Sequence, residues 1–117
     1  MLALIYSDGS IEKDDLKNEC QSQKWIPLAV KKDKNNEITV ICFNDYKDAL
    51  KFSKRNFPKN WIKGSITLSE VELNFIKNKN WKIEILTFPR LLNSHPEYKL
   101  GFEILEFHDT PGLLYIV

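Results

Sequence analysis

The sequence predicts an α+β fold, a two-layer sandwich in which helices on one face cover a mixed, mainly antiparallel sheet. Three observations predict it. Ile38 to Phe43 (ITVICF) is a dense β-branched run with aromatic support, too short for a helix in its setting. Tyr46 to Phe57 places apolar residues three and four apart behind an acidic cap. Trp81 to Phe88 (WKIEILTF) alternates, with Trp81, Ile83 and Ile85 on one side and Lys82 and Glu84 on the other.

The elements follow in chain order. Residues 2–6 read as a short strand, closed by the turn chemistry of Ser7-Asp8-Gly9-Ser10. A short amphipathic helix from about Asp14 is supported by Leu16 and Cys20, four apart. Trp25 to Lys31 is a strand that Pro27 pushes toward an edge or a start. Asp33-Lys34-Asn35-Asn36 is a turn, so this strand and Ile38–Phe43 form a hairpin. Asn44 or Asp45 then caps a helix whose apolar face is Tyr46, Ala49, Leu50, Ser53 and Phe57, and Pro58 ends it. Trp61 to Leu68 is the next strand, with Gly64 at a candidate bulge. Ser69 and Glu72 form a capping box for a helix to about Asn78. After the alternating strand, residues 90–98 read as an ordered loop or helical turn. Lys99–Phe107 and Leu113–Val117 make a C-terminal β-hairpin around Asp109-Thr110-Pro111-Gly112. Residues 25–88 thus run ββαβαβ, and residues 1–117 read as one domain without a linker. Trp25, Trp61 and Trp81 each stand at a strand entry, where such rings cover the end of a core.

Composition narrows the class. At 117 residues, 43% hydrophobic and 28% charged, the chain can bury a core without metal or disulfides, and intrinsic disorder is excluded. Two cysteines are fewer than small secreted scaffolds carry. The apolar start, Met1 to Tyr6, lacks a basic lead-in and is too short for a signal peptide's apolar region, and no run approaches the ~20 residues of a membrane span. The expectation is a reduced, cytoplasmic protein without membrane contact.

Residues Phe43, Asp45, Asp48-Ala49-Leu50-Lys51-Phe52, Phe57 and Trp81 carry a resemblance. Together they follow a pattern of small bacterial α+β domains: a strand ending in Phe, an acidic cap, an Ala-Leu-x-Phe helix, then strand, short helix and strand. Over residues 38–86 the chain is similar to the N-terminal domain of the enhanced-serine-sensitivity (SseB-type) proteins. The resemblance implies a sandwich and a non-enzymatic role. It rests on fold-forming residues and brings no site residue with it.

No motif specifies a reaction. The two histidines, His95 and His108, each have a neighbouring carboxylate but no third ligand in sequence, so no metal site is read. Cys42 lies inside a core strand and Cys20 on the apolar side of a helix, and neither stands at a helix N-terminus; both read as inert core thiols. Four scattered glycines leave no phosphate loop, and no cofactor is expected. Glu70 and Glu72 are explained by helix capping, and Glu103 and Glu106 fall on opposite strand faces.

Charge is distributed unevenly. Residues 31–63 hold nine Lys or Arg against four Asp or Glu, although the net charge of the whole chain is only +1. Lys47, Lys51, Lys54, Arg55, Lys59 and Lys63 cluster there, with Phe57 and Trp61 among them. Basic residues beside aromatics can bind phosphates and stack bases, while the ordinary reading is a solvated helix face. Three functional readings follow. The first is a small non-enzymatic interaction or regulatory module, of the inhibitor or immunity-protein kind, with a protein partner or a second copy as a homodimer. The second is a nucleic-acid-binding accessory protein using residues 45–63. The third is an enzyme whose site joins distant residues, with Tyr46, His95 or His108 as candidates.

Overall fold

The computed structural model describes residues 1–6, 12–23, 25–59, 61–86 and 97–106. The elements run β1 (Leu2–Tyr6), α1 (Lys13–Gln23), β2 (Trp25–Lys32), β3 (Ile38–Phe43), α2 (Tyr46–Asn56), β4 (Ile62–Thr67), α3 (Glu70–Asn78), β5 (Lys82–Ile85) and β6 (Lys99–Glu106). The class is α+β, with a mixed sheet that is mainly antiparallel and not closed. From β2 to β5 the order is ββαβαβ. The expected turn at residues 7–10, the loop over 90–96 and the second strand of the C-terminal hairpin lie outside the described residues.

Local chemistry sets the element ends. Asp33 organises the β2–β3 turn: its carboxylate accepts from the amides of Asn35 at 2.8 Å and Glu37 at 2.9 Å. Asn36 takes φ 60° there, a conformation that Asn tolerates better than most residues. Asp45 caps α2 by accepting from the Lys47 amide at 2.8 Å. The capping box of α3 forms, with the Glu72 carboxylate accepting from the Ser69 amide at 2.8 Å and from its hydroxyl. At the other end of α3, Asn80 has φ 61° and its amide donates to Lys77 O at 2.9 Å. The Trp81 amide donates to Ile76 O at 3.3 Å, which completes a Schellman stop and delivers Trp81 onto the core.

The centre of the sheet is a three-way junction. β2 pairs β6 over its whole length, from Trp25↔Glu106 to Lys32↔Lys99, so its other pairings share the opposite edge. On that edge β3 joins at Val30–Lys32 and β1 at Leu28. β1 and β3 also pair with each other, Leu2↔Phe43 and Ala3↔Cys42. All three pairings are antiparallel. Each junction strand carries one outer neighbour: β4 on β1, β6 on β2, and β5, in parallel, on β3. β2 is therefore interior, where Pro27 predicted an edge or a start. The proline fits because β1 and β3 pair β2 only from Leu28 onward, so at position 27 one edge has no ladder to serve. In β4 the register slips opposite Ile5 and Tyr6, which puts the bulge at residue 63, beside Gly64.

Both faces of the sheet are covered, whereas the sequence predicted helices on one. Odd residues of β1 (Ala3, Ile5) join Leu28, Val30, Cys42 and Ile66 in one buried cluster, with Leu16 and Cys20 of α1 and Ile76 of α3. The even residues Leu4 and Tyr6 join Ala29, Ile41 and Phe43 in a second, with Ala49 and Phe52 of α2 and Phe57 beyond it. The reason lies in the strands. β1, β2 and β3 are apolar at consecutive positions, so a sheet made from them has two faces to bury.

The inward stripe of α2 differs from the one read in sequence. Ala49, Phe52, Ser53 and Asn56 are buried, while Tyr46 and Leu50 are exposed. Phe52 decides the rotation, since its ring packs 5.3 Å from Phe43 and 6.1 Å from Phe57. Asn56 is tolerated inside because its amide donates to Phe52 O at 3.0 Å.

Candidate functional site

The surface beside the C-terminal end of α2 is built around Tyr6. This ring is buried at the end of β1 and touches three others. It meets Phe57 edge-on at 5.3 Å and Trp61 edge-on at 5.5 Å, and stacks on Phe102 of β6 at 5.2 Å. Phe57 follows the last turn of α2, and a tight turn, Trp61 amide to Pro58 O at 3.0 Å, brings Trp61 back toward it. The result is a cleft of about 330 Å³ lined by Tyr6, Asn56, Phe57, Pro58, Trp61, Tyr98, Lys99 and Leu100. Trp61 is 39% exposed, Phe102 48% and Ile104 37%. Period 2 along β6 puts Leu100, Phe102 and Ile104 on one side, the side of α2. Among the described residues one helix covers this face, and Phe102 and Ile104 at its β6 end are exposed.

The basic residues read from sequence lie along α2 and in the turn that follows it. Lys47, Lys51 and Lys54 are exposed on α2, and their spacings of four and three residues put them in one outward stripe. Arg55 is exposed beside them, and Lys54 and Arg55 occupy the last turn, where cations complement the helix dipole. Lys59 is exposed in the turn between Pro58 and Trp61. The side chain of Lys63, His95 and His108 lie outside the described residues. Tyr46 is exposed at the first turn of α2.

A second concavity, about 370 Å³, lies at the turn end of β2 and β3 and is lined by Lys31, Asp33, Glu37, Thr39, Lys82, Ile83, Glu84 and Tyr98. Both of its lysines are paired within it. Lys31 pairs with Glu84 across β3 and lies 4.3 Å from the centre of the Tyr98 ring. Lys82 pairs with Glu37 at 2.8 Å, a hydrogen bond that raises the Lys82 ammonium above its ordinary value. With Lys32–Glu103 between β2 and β6, these pairs link neighbouring strands and favour their register.

Both cysteines are free and buried. Burial pushes the Cys20 thiol up to about 11, with the Glu19 carboxylate adding to it, and the Cys42 thiol up to about 12, against a lowering by the N-terminal ammonium. These shifts favour the neutral thiol over the nucleophilic thiolate at neutral pH. Among the described residues no group of three His, Cys, Asp or Glu could hold a metal ion, and no helix is long and apolar enough to cross a membrane.

Sequence reasoning singled out Trp61 and missed Tyr6, Phe102, Ile104 and Lys99. The available signal was the alternation of Leu100, Phe102 and Ile104 within LGFEILE. That alternation names a face and does not say whether a helix covers it. No family model, no curated protein and no solved structure matches the chain.

Proposed function

We propose that this chain is a small non-enzymatic interaction module that binds a protein partner through the α2-side surface of its sheet. One observation carries the reading. Trp61 and Phe102, large and exposed, flank the same buried ring, with exposed Ile104 next along β6. A contiguous exposed apolar surface with a charged surround marks an interaction site, whereas single exposed apolar residues are ordinary. Aromatic side chains held rigidly are also the usual anchors of protein interfaces. The SseB-type resemblance implies a role of the same class, and a cytoplasmic setting fits the two free thiols.

The test uses the tagged chain and its Trp61→Ala/Phe102→Ser variant as baits in a cross-linking capture, with light scattering on both. A partner, or a defined dimer, held by the parent and lost from the variant supports the reading. Identical captures from both proteins, with a strictly monomeric mass, would remove it.

The single stripe of Lys47, Lys51 and Lys54 favours a second reading, a nucleic-acid accessory protein. Binding of a mixed-sequence oligonucleotide that weakens steeply with salt, and is lost on reversing Lys51 and Lys54 to Glu, would put it first.

A further inference from the structure

We propose that the outer edge of β6 pairs with the same edge of a second copy of the chain, antiparallel about a two-fold axis at Gly101, so that two sheets join into one. The contact uses an edge, not the α2-side face, and goes beyond the module reading without resting on it.

The strand itself comes first. β4, β5 and β6 stand on the outside of the sheet. β5 is four residues long, and β4 carries a register slip. β6 runs eight residues against β2 in an unbroken ladder, and among the described residues β2 is the one strand it pairs with. In an antiparallel pair the residues alternate, so every second residue of β6 turns its N–H and C=O away from β2. A long, regular edge with those groups open is a template for another strand. The hairpin read from the sequence leaves room for one. With its turn at Asp109–Gly112, Leu113–Val117 would run back beside residues 108–104, clear of Lys99–Glu103.

Side chains select the occupant and its register. Lys99, Gly101 and Glu103 share one side of β6. Lys99 lies directly opposite Lys32, a like charge, and the Lys32 ammonium pairs with Glu103. Lys99 itself makes no ion pair among the described residues. A second β6 set antiparallel, with Gly101 opposite Gly101, supplies what is missing. Lys99 of each copy then meets Glu103 of the other. On the α2 side, Leu100 of each meets exposed Phe102 of the other. Symmetry makes each of these cross-strand pairs occur twice. An axis at Phe102 would instead set Lys99 against Leu105, and an axis at Glu103 would set two carboxylates face to face. At Gly101 nothing lies within 4 Å of the place a Cβ would take, so the axis falls where the structure is open.

Sedimentation velocity over a wide concentration range tests this on the full chain. The parent is expected to form a dimer and nothing larger, because a two-fold contact uses the edge once. Lys99→Glu should weaken the dimer about tenfold or more, since two attractive pairs become two repulsive ones. Lys99→Glu/Glu103→Lys should recover much of that loss, which mere damage to the strand would not allow. Gly101→Cys reads the register directly. Opposed residues of an antiparallel pair hold their Cα atoms about 4.5–5.5 Å apart, within reach of a disulfide. Oxidised glutathione should therefore link Gly101→Cys into a covalent dimer and leave Glu106→Cys unlinked. Cys20 and Cys42 are buried and do not compete. The substituted positions are exposed or half-buried, and an unchanged circular dichroism spectrum confirms the fold. A monomer at every concentration, a dimer indifferent to Lys99→Glu, a double variant no better than the single one, or equal linking at 101 and 106 would each overturn the proposal. Trp61→Ala lies off the edge and should leave the dimer intact. A dimer that Trp61→Ala abolishes would overturn the edge contact and support the module reading instead.

Discussion

On one face of the sheet α1 and α3 lie over Ala3, Ile5, Leu28, Val30 and Cys42, all fully buried, while Ile85 of β5, paired with Cys42, is exposed. On the other, α2 is the one helix among the described residues that lies over Leu4, Ile41 and Phe43, and on β6 Phe102 and Ile104 are exposed. The strands contribute comparable apolar residues to both faces, so the difference is one helix. The partly covered face combines an equally tight interior, around Phe43 and Phe52, with a rim that does not need to be buried for the fold to hold. A surface that can lose its exposed residues without unfolding is the kind that evolution can specialise for binding.

The largest effect separates the two parts of the α2 face. Phe52 is fully buried between Phe43 and Phe57, and Phe52→Ala removes its transfer energy and leaves a cavity. The expected loss is about 3–5 kcal/mol, enough to unfold much of a marginally stable domain. Phe102→Ala, at a position 48% exposed, is expected to cost no more than about 1 kcal/mol, chiefly its stacking on Tyr6. Urea titrations of both variants measure the contrast. Similar losses for the two would mean that the β6 rim is part of the core and not a spare surface.

Much of the architecture was legible in local sequence, because its causes are local. The β-branched run of β3, the Asp45 and Ser69 caps and the alternation of β5 each depend on a few neighbouring residues. The α2 stripe was less legible. Apolar residues at 46, 49, 50, 52 and 57 allow two faces to be drawn, and only the position of Phe43 across the interface selects the one through Phe52. The junction of β1, β2 and β3 depends on pairing between distant strands, and so does the division of the helices between faces. The candidate site is the extreme case. Tyr6, the Phe57–Trp61 turn and Phe102 come from three separated points of the chain, and no spacing rule joins all three.

A second way to sharpen the comparison uses pH. Both thiols lie in the cluster under α1 and α3, and none lies in the cluster under α2. Burial raises them from the ordinary 9.0 to about 11 for Cys20 and about 12 for Cys42. The fold therefore favours the neutral thiol. Its contribution is whole below pH 9 and is lost as pH climbs from there through the two folded-state values. At pH 10 each thiol is expected to cost roughly 1 kcal/mol relative to pH 8, or about 2–3 kcal/mol together. Denaturant midpoints at the two pH values measure this, and Cys42→Ala should show about half the drop. An undiminished drop in that variant would place the alkaline sensitivity elsewhere.

The smallest effect concerns how the better-covered face is held. Glu72 is fully buried, and its carboxylate reaches back to the Ser69 amide and hydroxyl at the start of α3. Ser69→Ala leaves the backbone amide in place and removes the hydroxyl, so one of the two hydrogen bonds that Glu72 accepts from Ser69 is lost. The expected cost is about 1 kcal/mol, and it should fall on α3 first. Hydrogen exchange reads it locally: amides of α3 should lose protection while those of α2 keep theirs. Equal loss over both helices would mean that the two faces unfold together, and that the cap contributes to the whole sheet instead of to the face it starts.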